Sequence, residues 1–104
     1  MKSWDPQTDG SMTEEAIRKK YESPKFRVSI YRHPAGAQFS HSTRACTCHV
    51  LSGTCKYSRG HSVELRGGEV AHIPEGTYDV QVLGGDELVL VLCWELPFEF
   101  NQIQ

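Results

Sequence analysis

The sequence predicts an all-β fold, a small antiparallel barrel or sandwich with one short N-terminal helix. From Phe26 onward, apolar and polar residues alternate with a period of two, which is typical of strands with one buried face. Glycine-containing turns separate these short segments, and no helical pattern intervenes. The 104 residues suffice for one domain that encloses a modest core or one small-ligand cavity.

The helix is predicted near the N-terminus. Residues 1–10 carry turn signals and few apolar side chains, so we expect a loose arm there. Ser11 and Glu14 have the spacing of a capping box, which predicts a helix that begins after Ser11 and continues through Tyr21. Ile17 and Tyr21 lie on the same face of this helix and are expected to be its buried residues.

The sequence predicts two parts: residues 1–25 form the N-terminal arm and short helix, and residues 26–104 form a barrel that contains the strands. The first strand begins at residue 26 and is expected to end before Pro34. Glycine or proline turns then separate seven further predicted strands, at residues 38–42, 45–51, 54–58, 62–65, 70–73, 78–83 and 88–96.

Composition limits the classes of partner. Eleven basic and 13 acidic residues give a net charge of −2, so there is no electrostatic reason to expect nucleic acid or an anionic membrane surface. The longest apolar run, residues 88–94, fits a buried strand and is too short to cross a bilayer. The polar N-terminus lacks the apolar segment of a signal peptide, so we expect a cytoplasmic protein.

The four cysteines, Cys46, Cys48, Cys55 and Cys93, lie within predicted strands. In a cytoplasmic protein we expect them to be reduced and to pack as small apolar side chains. One residue separates Cys46 from Cys48. This spacing suits neither a disulfide along a strand nor a zinc-knuckle motif.

The turn before the seventh predicted strand resembles a known motif. Gly68, Pro74 and Gly76 match the second motif of the cupin family, in which five residues separate a glycine from a Pro-x-Gly turn. Gly53 resembles the closing glycine of the family's first motif. Over residues 26–96 the chain is similar to a small single-domain cupin, which implies a double-stranded β-helix, or jelly-roll barrel.

The resemblance also implies where a cupin would hold a metal, and three of the four ligand positions differ here. At most His41 remains of the two histidines in the first motif, and Cys46 occupies the position of its glutamate. Asp79 replaces the histidine of the second motif. We therefore expect no metal cofactor. Zinc or iron held by His41, Cys46, Cys48 and Asp79 is the alternative.

The motif positions also imply which side chains face the interior. Cys46 and Cys48 are expected to point into the barrel, and Thr47 and His49 to point the other way. From the facing strand, Asp79 is expected to line the interior.

Several polar side chains are candidates for the site. Gln81 is expected to line the interior beside Asp79, with His41 near the barrel mouth. A carboxylate in an apolar cavity would have a raised pKa, which would suit Asp79 for acid–base chemistry; capping of backbone amides is the alternative. Tyr57 is either core or an acid. Arg44 is either an exposed arginine or a contact for an anionic ligand at the mouth.

Two functions follow from these positions. In the first, a cupin that has largely lost its metal site binds a small organic ligand in the barrel, through a set comprising His41, Arg44, Cys46, Cys48, Asp79 and Gln81. In the second, the resemblance to small cupins implies an enzyme, namely an isomerase or epimerase, a cyclase, a lyase or a dioxygenase. Its catalytic residues would then be Asp79, His41 and Tyr57, or a non-standard His/Cys metal site.

Two further expectations concern partners and one side chain. A regulatory cupin with its own DNA-binding module is disfavoured, because no helix-turn-helix pattern is present. The resemblance implies a homodimer, since small cupins often bury an open sheet edge or face against a second copy. Trp94, in the last strand, is expected in the core or at an interface.

Overall fold

The computed structural model of the protein describes residues 4–96. Eight strands form two four-stranded antiparallel sheets, which confirms the predicted all-β fold. The strands are β1 Phe26–His33, β2 Gln38–Thr43, β3 Cys46–Ser52, β4 Thr54–Arg59, β5 His61–Arg66, β6 Val70–Ile73, β7 Gly76–Leu83 and β8 Leu88–Glu95. The first sheet has the order β1-β8-β3-β6 and the second sheet the order β2-β7-β4-β5.

The predicted helix is present, but it begins later than the sequence suggested. Helix α2 spans Glu14–Lys20, and Thr13 is its N-cap. The Thr13 hydroxyl accepts a hydrogen bond from the backbone N–H of Ala16 at 3.1 Å. The prediction that Ser11 caps the helix is wrong, because the extended backbone of Thr13 already turns its own hydroxyl toward the free N–H groups of the first turn.

The arm predicted for residues 1–10 contains a one-turn helix, α1, at Pro6–Asp9. Its N-cap is Asp5, whose carboxylate accepts the backbone N–H of Gln7 at 3.0 Å. The Asp9 carboxylate pairs with Lys20 of α2, which ties the two helices together. The segment is therefore more ordered than its turn-rich composition indicated. No helix within residues 4–96 is long and apolar enough to span a membrane.

Both faces of the first sheet are covered. Its inner face meets the second sheet in a layer that we call the interior, which buries residues such as Val50, Tyr57 and Leu90. On its outer face α2 packs Ile17 and Tyr21 over Val91 and Cys93, with Trp4, Met12, Phe26, Val28, Ile30 and Leu51 around them. We call this second cluster the helix layer. A strand buried on both faces needs apolar side chains throughout, which explains the unbroken apolar run of β8.

The glycine of the first motif is required by close packing. Gly53 has φ +83°, a left-handed conformation that other residues rarely adopt. A Cβ atom there would lie 2.6 Å from the Glu87 carbonyl oxygen and 2.9 Å from Leu88 Cα. The turn between β3 and β4 can therefore approach the start of β8 only with glycine at this position.

Candidate functional site

A cleft of about 760 Å³ lies between β1 and β2, which are edge strands of the two sheets. This volume lies within the range of pockets that hold small organic ligands. Strand β8 contributes Leu92 and Trp94 to its wall. Arg27 and Tyr31 line the cleft from β1, and His41 lines it from β2. Arg44, the residue that follows β2 and Thr43 by one position, also lines it.

The pairing of β1 with β8 determines which β1 side chains face the cleft. Val28 lies opposite Cys93, and directly opposed residues of antiparallel strands share a face of the sheet. Because Cys93 belongs to the helix layer, Val28 points there too. The alternate residues Arg27 and Tyr31 consequently lie on the interior side, where Arg27 is opposite Trp94. Strand β1 thus turns its apolar set outward, under α2, and its polar set inward, although Phe26 and Val28 also border the cleft at the sheet edge.

His41 occupies the middle of the opposite wall. Its ring lies edge-on to Tyr31 and to Tyr57, with ring centroids 6.4 Å away in both cases. The Nε2 atom is buried and has no hydrogen-bond partner among residues 4–96. Burial lowers the pKa of His41, and the nearby His33 lowers it further, so the imidazole is neutral at pH 7. A neutral imidazole can offer Nε2 as donor or acceptor. Because Nε2 is buried while the His41 ring borders the cleft, a ligand pairs with this atom only after a shift of the surrounding side chains.

The two ends of the cleft differ. Near the turn that joins β1 to β2, His33 stacks on Phe39 with ring centroids 4.2 Å apart. Tyr31 and His41 form the next contact along the two strands. Since the strands run in opposite directions from this turn, Arg27 near the start of β1 and Arg44 just after β2 lie toward the other end. The cleft therefore has an aromatic end at Tyr31 and His41 and a basic end at Arg27 and Arg44, and the His33–Phe39 stack lies beyond the aromatic end without lining it.

The predicted inward orientation of two cysteines is confirmed. Cys46 and Cys48 are buried in the interior with Cys55 and Tyr57, in its packed part, and they do not line the cleft. Burial raises the pKa of the Cys55 thiol to about 11 and raises that of Cys48 further. These cysteines are therefore protonated thiols that fill space between the sheets.

The opposite face of β3 belongs to the helix side of the sheet. Thr47 and His49 point away from the interior, as predicted, and both are fully buried. Thr47 Oγ1 and His72 Nδ1 are 3.1 Å apart, across the β3–β6 pair. His49 Nδ1 lies 3.1 Å from the Val91 carbonyl oxygen.

The prediction that Asp79 and Gln81 line the interior is wrong. Strand β7 buries Tyr78, Val80 and Val82, so the alternate residues Asp79 and Gln81 face outward on the second sheet. Asp79 is exposed and accepts a hydrogen bond from Ser40 Oγ at 3.3 Å. The apolar alternation of β7 carried this information, and the motif position of Asp79 pointed the other way.

The alternative metal site is not assembled. Within residues 4–96, no group of three or more His, Cys, Asp or Glu side chains could hold a metal ion. Asp79 lies across the second sheet from His41, because β2 and β7 pair with Asp79 opposite the outward-facing Ser40. These residues therefore do not fit the metal that the resemblance implied.

The structure places the remaining predicted site residues in different surroundings. His41 and Arg44 line the cleft, as expected for residues near the barrel mouth. Tyr57 is core, 4% exposed, and contacts the His41 ring. Sequence reasoning missed Arg27 and Tyr31. Their alternation with apolar residues was visible, but nothing in the sequence assigned the polar set of β1 to the inside.

Trp94 was expected in the core or at an interface. It packs against the interior cluster and also contributes to the wall of the cleft. An indole beside open space can contact a bound ligand as well as its neighbours in the core.

Comparison with solved structures identifies the fold. No protein-family model matches the sequence, and no curated protein matches it. The cupin domain of Cnp3 from Schizosaccharomyces pombe is similar in structure, with a TM-score of 0.63 and 18% identity over 77% of this chain and 59% of that one. This chain thus spans less than two thirds of the length of that domain structure.

Two bacterial structures show the same likeness. A Cupin 2 conserved barrel domain protein from Salinispora arenicola has a TM-score of 0.62 and 15% identity, over 77% of this chain and 73% of that one. The Cupin_2 domain of an XRE family transcriptional regulator from Enterobacter cloacae has a TM-score of 0.62 and 13% identity, over 73% and 86%. The predicted cupin fold is thereby confirmed.

Proposed function

We propose that this protein binds a small organic molecule in the cleft between β1 and β2, with His41 as its polar anchor. The observation that carries the proposal is the buried Nε2 of His41, which has no hydrogen-bond partner among residues 4–96 and lies in the wall of a cleft of about 760 Å³. A buried polar atom without a partner costs stability, and a ligand that pairs with it removes that cost.

The rest of the wall suits an apolar or aromatic body. Leu92 and Trp94 supply apolar contact from β8, and Tyr31 supplies an aromatic edge from β1. A few polar groups on a mostly apolar wall are typical of small-molecule sites, where the apolar surface contributes affinity and the polar groups orient the ligand.

Of the predicted catalytic residues, only His41 and Tyr57 lie close together, in the ring contact described above. Asp79 faces the opposite side of the second sheet, so acid–base chemistry that relies on it is not supported. A catalytic role for His41 and Tyr57 stays a prediction, as do the homodimer and the cytoplasmic location.

The proposal can be tested with N-phenyl-1-naphthylamine, an uncharged fluorescent probe with one N–H donor. The chain has two tryptophans, so a Trp4→Phe background leaves Trp94 as the single donor for energy transfer to the probe. We expect saturable binding of one probe per chain, seen as quenching of Trp94. His41→Phe should weaken that binding roughly fivefold to tenfold, the usual effect of losing one hydrogen bond to a buried partner.

His61→Phe is the matched control, because His61 is an exposed histidine on β5 outside the cleft. It should leave the affinity unchanged. Equal affinity in His41→Phe and His61→Phe, with both variants folded by circular dichroism, would contradict the proposal.

A further inference from the structure

Among residues 4–96, the charged side chains that line the cleft are all of one sign. They are Arg27 and Arg44, and no aspartate or glutamate of that range lines it, although the whole chain has a net charge of −2. Both arginines lie at the end remote from the His33–Phe39 stack. The cleft therefore places positive charge at one end of a wall that also contains apolar and aromatic side chains, with His41, Ser42 and Thr43 as its uncharged polar residues.

These two arginines also lack the partners that other arginines have. Arg18, Arg32 and Arg66 each pair with a glutamate. Among residues 4–96, neither Arg27 nor Arg44 has an ion pair, and neither donates a side-chain hydrogen bond. Their guanidinium groups are therefore available to an external anion.

We infer that the ligand of this cleft is an organic anion, with an apolar or aromatic body against Leu92 and Trp94 and its negative group at Arg27 and Arg44. The inference rests on the proposed function. Guanidinium groups bind carboxylate, sulfonate and phosphate oxygens through charge-assisted hydrogen bonds, which are stronger than neutral ones. Arg27 adjoins Trp94 across the β1–β8 pair, so the charge lies next to the apolar surface that would hold the body.

The orientation of such a ligand follows from the two ends of the cleft. The aromatic stack of His33 on Phe39 offers no charge to compensate an anion, and burial keeps the nearby imidazole of His41 neutral. An anionic group directed there would lose its hydration without gaining a counter-charge. The negative group therefore lies at the basic end, and the body extends toward His41.

Two probes that share one carbon skeleton distinguish the contribution of the negative charge to affinity from that of the apolar body. 8-Anilinonaphthalene-1-sulfonate is N-phenyl-1-naphthylamine with a sulfonate added, and both probes fluoresce on binding. We expect the sulfonate probe to bind wild type about tenfold more tightly than the uncharged one, the effect of about one charge-assisted hydrogen bond. This advantage should shrink as NaCl is added, because salt screens charges near the surface.

Substitutions of the arginines then test which side chains bind the sulfonate group. Arg27→Gln and Arg44→Gln should each lower the affinity for the sulfonate probe roughly threefold more than the affinity for the uncharged probe, so that together they account for the roughly tenfold advantage. Arg32→Gln is the matched control, since it removes the same charge from β1 on the helix-layer side, in register with Val89. It should affect neither probe. Circular dichroism and urea unfolding would confirm that all three variants fold.

The outcomes are distinguishable. If Arg27→Gln and Arg44→Gln bind the sulfonate probe as Arg32→Gln does, the inference of an anionic ligand is overturned. The proposed function still stands in that case if His41→Phe weakens the uncharged probe. If neither probe binds wild type, both the inference and the proposed function are overturned.

Discussion

The interior and the helix layer each bury a histidine whose Nε2 has no hydrogen-bond partner among residues 4–96. His49, in the helix layer, is fully buried, and the rings of Trp4 and Tyr21 lie edge-on to it with centroids 6.2 Å and 5.8 Å away. His41 has two aromatic neighbours of its own but also lines a cleft. The same buried, unpartnered atom thus occurs in a histidine that is fully enclosed and in one whose ring borders a cleft.

The difference shows what makes an unpartnered polar atom informative. At His49, the contact of Nδ1 with the Val91 carbonyl fixes the ring between a sheet and a helix, which is a structural role. At His41, the adjoining space is large enough for a ligand that could satisfy Nε2. The binding that we propose therefore belongs to the interior side of the first sheet, and the contacts of the helix layer serve stability.

The largest effect that we expect is a loss of stability from a substitution in the helix layer. Ile17 is fully buried beneath α2, and Ile17→Ala should lower the free energy of unfolding by about 3 kcal/mol, from lost burial and the cavity left behind. Urea unfolding measures this change. Lys19→Ala, on the exposed side of the same helix, should have little effect.

Probe binding by the same variant tests whether the cleft is independent of the helix layer. Folded Ile17→Ala should bind N-phenyl-1-naphthylamine with the affinity of wild type, because none of the cleft residues belongs to α2. A loss of affinity in proportion to the loss of stability would mean that the helix layer shapes the cleft.

A smaller effect concerns pH. Burial lowers the pKa of both His41 and His49. The unfolded chain takes up these protons near pH 6.5 and the folded chain does not, so the free energy of unfolding should fall as the pH drops below about 6.5. The slope should be at most about 1.4 kcal/mol per pH unit for each proton, with little change above about pH 7.

Two variants show how much of this pH dependence of the free energy of unfolding comes from the histidine of each layer. His41→Phe and His49→Phe should each flatten the decline below pH 6.5, as measured by urea unfolding at several pH values. At pH 7.5, His49→Phe should also cost about 1 kcal/mol, because the Val91 carbonyl loses a hydrogen bond. Of these two variants, only His41→Phe should bind N-phenyl-1-naphthylamine with lower affinity than wild type. A slope unchanged in both variants would refute this assignment of the pH dependence.

The smallest effect is on rates of thiol modification. Cys93 lies in the helix layer, where burial raises its pKa to about 12, whereas Cys48 and Cys55 lie in the interior. In folded wild type we expect none of the three to react readily with 5,5′-dithiobis(2-nitrobenzoate), since reaction needs an accessible thiolate.

Loosening α2 should expose one of them first. In Ile17→Ala, Cys93 should react faster than in wild type while Cys48 and Cys55 stay protected, as peptide mass spectrometry after labelling would show. Simultaneous labelling of all three would indicate that the two layers open as one unit.

Much of the strand pattern was predictable from local residues. Strand β6 has the predicted bounds, Val70–Ile73, and every other predicted strand overlaps an observed one. The inward direction of Cys46 and Cys48 also followed from the motif and the alternation. By contrast, Asp79 was placed inside by its motif position, against the local apolar alternation of β7, and the alternation was the better guide.

The sequence by itself determined that the chain is all-β, where its strands and turns lie, and which side chains of each strand share a face. These properties depend on backbone preferences and on a period of two, which are local. For β1, only the tertiary structure decided which face is the inner one. In β1, α2 buries Val28 from outside and leaves Arg27 and Tyr31 facing the cleft, because an apolar face is equally stabilised by a helix above the sheet or by a second sheet below it.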